Sequence, residues 1–268
     1  MLSFVNDLPR HEATCPNFRV RRADGSLARG IAAAARDPAG PELPSIRRRA
    51  EVVRIPNFWN VVSNLPFLAV GAAGLRRFHH NPATIVVFLG VFLTGLGSSY
   101  YHWDPNDSTL FWDRLPMTLS FAAILALVVE ERASARAGTT LLWPALGIGL
   151  FSLLLWRWTD DLRLYFWVQF FPGLAVLSLF LLYPAKYSGT HYWIVAGALY
   201  ALAKVFEFTD AAIYSAGTLL SGHTLKHLAA AAACFAIFRY FQVRLPIAVN
   251  AKEAATGPIR SLSTAPGP

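Results

Sequence analysis

The sequence predicts an all-α protein, a seven-transmembrane helix bundle, from its composition and from the length of its apolar runs. Of the 268 residues, 54% are hydrophobic and only 15% are charged, whereas soluble domains carry about 25% charged residues. A bilayer core requires roughly 20 apolar residues per helix. Seven runs approach this length, approximately at residues 58–75, 84–102, 109–129, 140–156, 163–183, 192–213 and 223–243.

The seven runs are not equally clear. The first is the weakest, because Asn60, Ser63, Asn64 and Pro66 interrupt it. Most of the others carry aromatic residues near their ends, as transmembrane helices do at the lipid–water interface; these include Trp156, Trp158, Tyr192, Trp193 and Tyr240. The connections between runs are short, so residues 55–246 are predicted to form one domain.

Two segments outside the bundle, 1–54 and 247–268, are predicted to be tails. Residues 1–54 are basic, are rich in Ala, Gly and Pro, and lack the long apolar stretch of a secretory signal, so we expect a poorly ordered tail. Residues 247–268 are small and polar, which is typical of disorder. Much of the formal net charge of +8 lies in the first tail. Juxtamembrane arginines reflect topology or anionic lipid, and no nucleic-acid motif accompanies them, so no nucleic-acid partner is expected.

The alternating direction of seven spans brings several polar residues to one membrane face. His102 closes the second run, Asp113 opens the third, and His223 and His227 open the seventh, so all four are expected at the same face. The same rule applies to polar residues near the end of the sixth run and the start of the fifth, namely Lys204, Glu207, Asp210 and Tyr165. Ionisable groups within spans usually face the bundle interior or a water-filled cavity. The sequence therefore predicts a polar cavity that is open to one membrane face.

The charges of the loops predict which side this cavity faces. A multi-pass integral membrane protein keeps its Lys- and Arg-rich short loops in the cytoplasm. Most lysines and arginines of the short connections lie on the side opposite the cavity: Arg76, Arg77, Arg132, Arg136, Lys186, Arg244 and Lys252. We therefore expect the cavity on the non-cytoplasmic side of a cell membrane (the inner membrane, if the source is bacterial). Arg47, Arg48, Arg49 and Arg54 argue for the opposite orientation.

Three histidines at this face predict a metal site. His223 and His227 are four residues apart, so their side chains share one helical face, and His102 adds a third imidazole from another helix. Catalytic zinc takes three protein ligands, keeps one position for water, and lowers the pKa of that water to about 7. A lone histidine in a span often only bonds a neighbouring helix, so the prediction rests on the convergence of all three.

Other residues are predicted to assist a hydrolytic reaction at this metal. Asp113 is the natural general acid and base, and Ser98, one helical turn before His102, is placed to stabilise an oxyanion. Lys204, Glu207 and Asp210 are spaced by three and so are expected along one helical face. Together with Tyr165 they are candidates for the layer of residues around the metal ligands. A buried ion-pair network that fixes helix packing is an equal alternative for the three charged residues.

At these residues the chain resembles the alkaline ceramidases, which belong to a wider group of seven-helix membrane proteins that includes adiponectin-receptor-like proteins. The matching stretches are Asn-Phe-Trp-Asn-Val-Val-Ser-Asn at 57–64, Gly-Leu-Gly-Ser-Ser-Tyr-Tyr-His at 95–102, Asp-Arg-Leu-Pro-Met at 113–117, and 223–227. The resemblance implies that His102, His223 and His227 bind zinc. It also implies that Ser98 and Asp113 assist the attack of water on the amide of a membrane lipid, ceramide, which releases a sphingoid base and a fatty acid.

The chain departs from these relatives just before the first run. Eukaryotic alkaline ceramidases carry an acidic calcium-binding segment there, whereas residues 45–51 read Ser-Ile-Arg-Arg-Arg-Ala-Glu, and Asn57 stands in place of an acid. Calcium is therefore not expected, and a related lipid amide or ester is an alternative to ceramide. Lys226 also stands where apolar and aromatic residues are common.

Two other classes of function remain as alternatives. One is a receptor-like or lipid-binding relative that holds zinc structurally with little turnover. Asp113 and Ser98 argue against this class, because a structural site does not need a water-activating pair. The other is a haem or retinal protein, and neither is favoured. Retinal requires a lysine near the middle of the last run, whereas Lys226 lies at its start.

Overall fold

The computed structural model describes residues 55–216 and 220–247. The two predicted tails lie almost wholly outside this part of the chain. Within it the chain forms α-helices and no strand, which confirms the all-α prediction; an isolated β-bridge pairs Tyr187 with Pro246. In chain order the helices are α1 (Phe58–Val62), α2 (Leu65–Arg77), α3 (Pro82–Trp103), α4 (Asp107–Arg132), α5 (Ala135–Thr159), α6 (Arg163–Leu182), α7 (Thr190–Phe208), α8 (Asp210–Ser215) and α9 (Gly222–Val243).

Five helical segments among the described residues are long and apolar enough to cross a membrane. They are Phe58–Arg77, which combines α1 and α2, and the four helices α3, α4, α5 and α6. These segments correspond to the first five predicted spans and indicate a membrane protein. The sixth and seventh predicted spans form the helices α7 and α9, whose lengths are 19 and 22 residues, but neither meets the same criterion. Both carry charged or imidazole side chains, and for them spanning stays a prediction.

The first predicted span is broken, as its interrupting polar residues indicated. Helix α1 ends at Val62, and α2 begins at Leu65 after the buried residues Ser63 and Asn64. Pro66 lies in the first turn of α2, where a proline is tolerated because the missing N–H has no partner within the helix. The break places the backbone and polar side chains of residues 57–64 beside the neighbouring helices.

The apolar core lies at the ends of the helices that are remote from the three histidines. Its fully buried members include Val87 and Phe88 from α3, Leu127 from α4 and Leu142 from α5. Phe78, in the turn after α2, packs its ring against those of three residues, Phe88, Phe238 and Phe241. Most polar side chains with catalytic potential are at the other end of α3, α4 and α9. The prediction that the remote half would be apolar is only partly right, because Glu131 and Arg132 are buried there.

Close contact between α3 and α4 aligns their polar ends. A Cβ atom at Gly97 would collide with the carbonyl oxygen of Trp112, and one at Gly90 would collide with the Ser120 side chain. Glycine at both positions lets the two helices approach closely over their whole length. This approach holds Asp113 beside the last two turns of α3.

A charged cluster ties α4 to α9 at the end remote from the histidines. Arg244 forms an ion pair with the buried carboxylate of Glu131, and the Tyr240 hydroxyl donates a hydrogen bond of 2.6 Å to the same carboxylate. The adjacent Arg132 donates a hydrogen bond of 2.9 Å to the Thr190 hydroxyl at the start of α7. The cluster therefore fixes the position of α9 along its axis, and α9 carries two of the three histidines.

We expect Glu131→Gln to destabilise the fold by about 2 kcal/mol, a value between those for exposed and for fully buried ion pairs. The substitution leaves the half-exposed guanidinium of Arg244 without its charge partner. The midpoint of thermal unfolding in detergent micelles measures the effect.

The matched control is Asp161→Asn, which breaks an exposed pair with Arg163 in the turn between α5 and α6. Hydrogen bonds from the Arg163 side chain lower the pKa of Asp161 to about 2, but the Arg163 side chain is 91% exposed, so solvent screens the pair and the midpoint should change little. Equal midpoints for the parent and Glu131→Gln would show that the cluster does not stabilise the bundle.

Candidate metal centre

His102, His223 and His227 lie together, as the alternation of the spans predicted. The ring centroid of His102 is 4.6 Å from that of His223 and 5.0 Å from that of His227, and the last two are 4.8 Å apart. The Nε2 atoms of His102 and His223 are separated by 3.0 Å. One ring nitrogen of each histidine lies within 4.8 Å of the others, and two of the side chains are buried while His223 is partly buried.

This donor set fits a divalent metal ion. Zinc–nitrogen bonds of 2.0–2.1 Å in a tetrahedral site place two imidazole nitrogens roughly 3.3 Å apart. The separation between His102 and His223 is close to this value, and the third nitrogen lies within 4.8 Å of both. Three imidazoles also leave a fourth coordination position open, as catalytic zinc sites do.

The first turn of α9 is held against the end of α7. The hydroxyl of Ser221 accepts a hydrogen bond of 3.1 Å from the Thr224 N–H and so caps the helix. Asp210 accepts a hydrogen bond of 2.7 Å from the His223 N–H. A side chain at Gly222 would collide with the Phe206 carbonyl oxygen, so glycine allows α9 to begin close to α7. These contacts fix the direction in which His223 and His227 point.

Polar groups of the broken first helix support two of the histidines. The Ser63 hydroxyl lies 2.8 Å from His227 Nδ1 and leaves the Nε2 atom of that ring for a metal. Asn57 donates a hydrogen bond of 3.0 Å to the carbonyl oxygen of His102. Asn60 accepts hydrogen bonds from the hydroxyls of Thr224 (2.6 Å) and Ser221 (3.2 Å).

Sequence reasoning missed Ser63. Metal-ligating histidines usually bond a second group through their other ring nitrogen, and Ser63 fills that role for His227. The signal was present, because Asn60 and Ser63 are three residues apart in the run that polar residues interrupt, and this run begins at the same predicted face as the histidines. Asn60, which interrupts the same run, forms interhelical hydrogen bonds with Ser221 and Thr224 at the start of α9.

Ser98 and Asp113 lie at neighbouring positions of α3 and α4, one helical turn before His102. Ser98 is buried in α3, one turn before His102. Asp113 is partly buried in α4, and its Cα atom would lie 3.3 Å from a Cβ atom at Gly97, the neighbour of Ser98. The structure therefore brings the two residues to adjacent positions on α3 and α4, while their catalytic roles stay a prediction.

The expectation that Lys204, Glu207 and Asp210 share one helical face is wrong for Asp210. Helix α7 ends at Phe208, because Thr209 leaves the helical conformation, and Asp210 begins the separate helix α8. Asp210 therefore turns towards the start of α9. Lys204 and Glu207 do share a face and form an ion pair of 2.7 Å.

Tyr165 lies beside the α4 part of the site. It is buried with Leu153 and Trp156, and the guanidinium of Arg114, the residue after Asp113, lies 5.0 Å from its ring centroid.

The fold and this centre define a helical membrane protein with a histidine cluster able to hold a metal ion. A family model described as Ceramidase matches residues 52–208, which is more than half of the chain. The chain therefore belongs to the ceramidase family. No curated protein matches the chain significantly. The matched range includes Ser98, His102 and Asp113 and ends before His223 and His227. Family membership implies a hydrolase that acts on the amide bond of a lipid such as ceramide.

We expect Ser63→Ala to weaken the binding of a divalent metal about tenfold to a hundredfold, because the second ring nitrogen of His227 loses its partner. Competition between the purified protein and a calibrated chelator measures this affinity. The control is Ser178→Ala, which removes an exposed hydroxyl that bonds only the Leu174 carbonyl of its own helix. Unchanged affinity in Ser63→Ala would show that Ser63 does not orient the ring.

Proposed function

We propose that this protein is a zinc-dependent amidase of a cell membrane. Its substrate is ceramide or a related long-chain lipid amide, and its products are a sphingoid base, or another amine, and a fatty acid. The observation that carries this proposal is the convergence of His102, His223 and His227 in a member of the ceramidase family.

His102, His223 and His227 would hold the zinc ion in this proposal. When bound in such a site, the ion supplies Lewis acidity towards a carbonyl oxygen and a water of lowered pKa. Ser63 keeps the ring of His227 in one orientation, and Asp210 holds the backbone at His223. A fixed ligand geometry of this kind favours a site that is ready before the substrate arrives.

Asp113 and Ser98 have separate roles in the proposed reaction. Asp113 accepts a proton from the attacking water, whose oxygen forms a bond to the acyl carbon. The carbon–nitrogen bond then breaks, and Asp113 returns the proton to the leaving amine nitrogen. The Ser98 hydroxyl donates a hydrogen bond to the oxygen on which negative charge develops.

The arrangement of the helices supports a substrate that resides in the membrane. In this proposal α7 and α9 complete seven spans, and the polar half of the bundle forms a cavity at one membrane face. The lysines and arginines of the loops favour the non-cytoplasmic side for this cavity. A lipid amide near the interface would then present its carbonyl at the depth of the histidines.

We expect the purified protein to contain about one zinc per chain, and His102→Ala to lower both the zinc content and the turnover of ceramide by more than tenfold. Elemental analysis and lipid mass spectrometry measure these two quantities. The control is His79→Ala, which changes an exposed histidine in the turn after α2. Turnover of ceramide by His102→Ala at the rate of the parent would contradict the proposal. Bound zinc with no turnover of any lipid amide would instead indicate a lipid-binding relative with a structural metal.

We expect Asp113→Asn to reduce kcat about a hundredfold or more, the usual contribution of a general acid–base group, and to retain zinc. The amide is nearly isosteric with the carboxylate but cannot accept a proton. The control is Asp107→Asn at the exposed start of α4. Rates within threefold of the parent would assign the proton transfer to another group.

A further inference from the structure

Two lysines share one carboxylate next to the histidine cluster. Glu207 in α7 accepts a hydrogen bond of 2.7 Å from Lys204 in the same helix and one of 3.3 Å from Lys226 in α9. Lys226 stands in the chain between His223 and His227. We call these three side chains the lysine pair and its carboxylate. Their position links the end of α7 with the turn of α9 that carries the histidines.

The three side chains are only partly buried. Their relative side-chain exposures are 19% for Lys204, 20% for Lys226 and 33% for Glu207. A sealed ion pair that only fixed the packing of α7 on α9 would be closed to other molecules. The lysine pair is instead accessible to a polar group that approaches the histidines.

Among the described residues, the printed ion pairs of both lysines go to one carboxylate, that of Glu207. Glu207 supplies a single negative charge for two ammonium groups. The carboxylate of Asp210, just after α7, instead accepts a hydrogen bond from the His223 N–H at the start of α9. A charge that is unbalanced within a membrane span is costly and usually marks a ligand or ion pathway.

Lys226 is the less satisfied of the two lysines. The ammonium of Lys204 has the shorter bond to Glu207 and also lies 5.5 Å and 5.8 Å from the ring centroids of Phe170 and Tyr200, distances at which aromatic rings attract a cation. Lys226 has the longer bond to Glu207, which uses one of the three donors of an ammonium group. Lys226 therefore retains N–H donors for a hydrogen-bond acceptor near the three histidines.

We propose that Lys226, with Lys204 as a second positive charge beside it, forms a binding site for an oxyanion. The substrate would carry this oxyanion close to its amide bond. The proposal rests on the amidase function above and names its substrate class: N-acyl lipids with a carboxylate or phosphate near the scissile amide. The head of ceramide is neutral and leaves the charge of the lysine pair unbalanced. An anionic head group balances this charge and places the adjacent amide at the histidines.

The test compares three amides with the same hexadecanoyl chain. N-hexadecanoylglycine carries a carboxylate, N-hexadecanoylethanolamine replaces it with a neutral hydroxymethyl group, and the phosphate ester of the second compound carries a phosphate. Hydrolysis and equilibrium binding are measured for each compound on the full protein in detergent micelles. The variants are Lys226→Met, Lys226→Arg and, as the control, Lys186→Met, which alters an exposed lysine that contacts the Ala133 carbonyl at the remote end.

We expect the parent to prefer at least one anionic amide over the neutral one by about tenfold to a hundredfold in kcat/KM, the range for a hydrogen bond to a charged group. Lys226→Met should remove this preference, Lys226→Arg should restore most of it, and Lys186→Met should keep it. The carboxylate and phosphate compounds show which oxyanion the subsite takes.

Equal rates on the neutral and anionic amides would overturn the subsite and leave the amidase function standing. A preference that persists in Lys226→Met would also overturn it, because another group would then bind the anion. An equal loss on all three amides in that variant would assign Lys226 to the reaction rather than to the head group. If neither ceramide nor any of the three amides is hydrolysed, the amidase function fails, and the binding preference and its dependence on Lys226 decide the subsite alone.

Discussion

The contact between the broken first helix and the first turns of α9 determines where two of the three histidines lie. Asn60 bonds the hydroxyls of Ser221 and Thr224, and Ser63 bonds the ring of His227. In a bilayer a polar group has no water to bond, so it must find a partner within the protein. The break between α1 and α2 supplies such partners at the depth at which α9 begins. An unbroken apolar helix at this position would leave the polar start of α9 without them.

The half of the bundle that contains the histidines and the half remote from them have different roles. The half remote from the histidines contains the aromatic and aliphatic core and the pair of Glu131 with Arg244, which together fix the helices relative to one another. Because glycines let α3 and α4 pack closely, the alignment of these two helices extends to the half that contains the histidines. The polar residues can then be concentrated where the proposed chemistry needs them, although an apolar cluster of Leu153, Trp156 and Tyr165 also packs at that end.

The proposed oxyanion subsite would distinguish this chain from a site built only for a neutral lipid. Glu207 serves two lysines, and one of them stands between two of the histidines. A partly buried carboxylate shared in this way links the helices α7 and α9. In the proposal the same residues also take part in recognition of the substrate. For Lys204 and Glu207 the sequence had left open an ion-pair network or a place around the metal ligands.

Hydropathy by itself determined the helical class and placed the long helices to within a few residues, because the length of an apolar run depends on the thickness of a bilayer and not on neighbouring segments. It also predicted that His102 meets His223 and His227, since the direction of successive spans must alternate. It did not predict the end of α7 at Phe208, the bond between Ser63 and His227, or the sharing of Glu207. These depend on how far each helix is rotated about its axis and where it stops. In helices that are apolar on nearly every face the sequence carries little information about rotation, so only the packing of the helices against one another decided it.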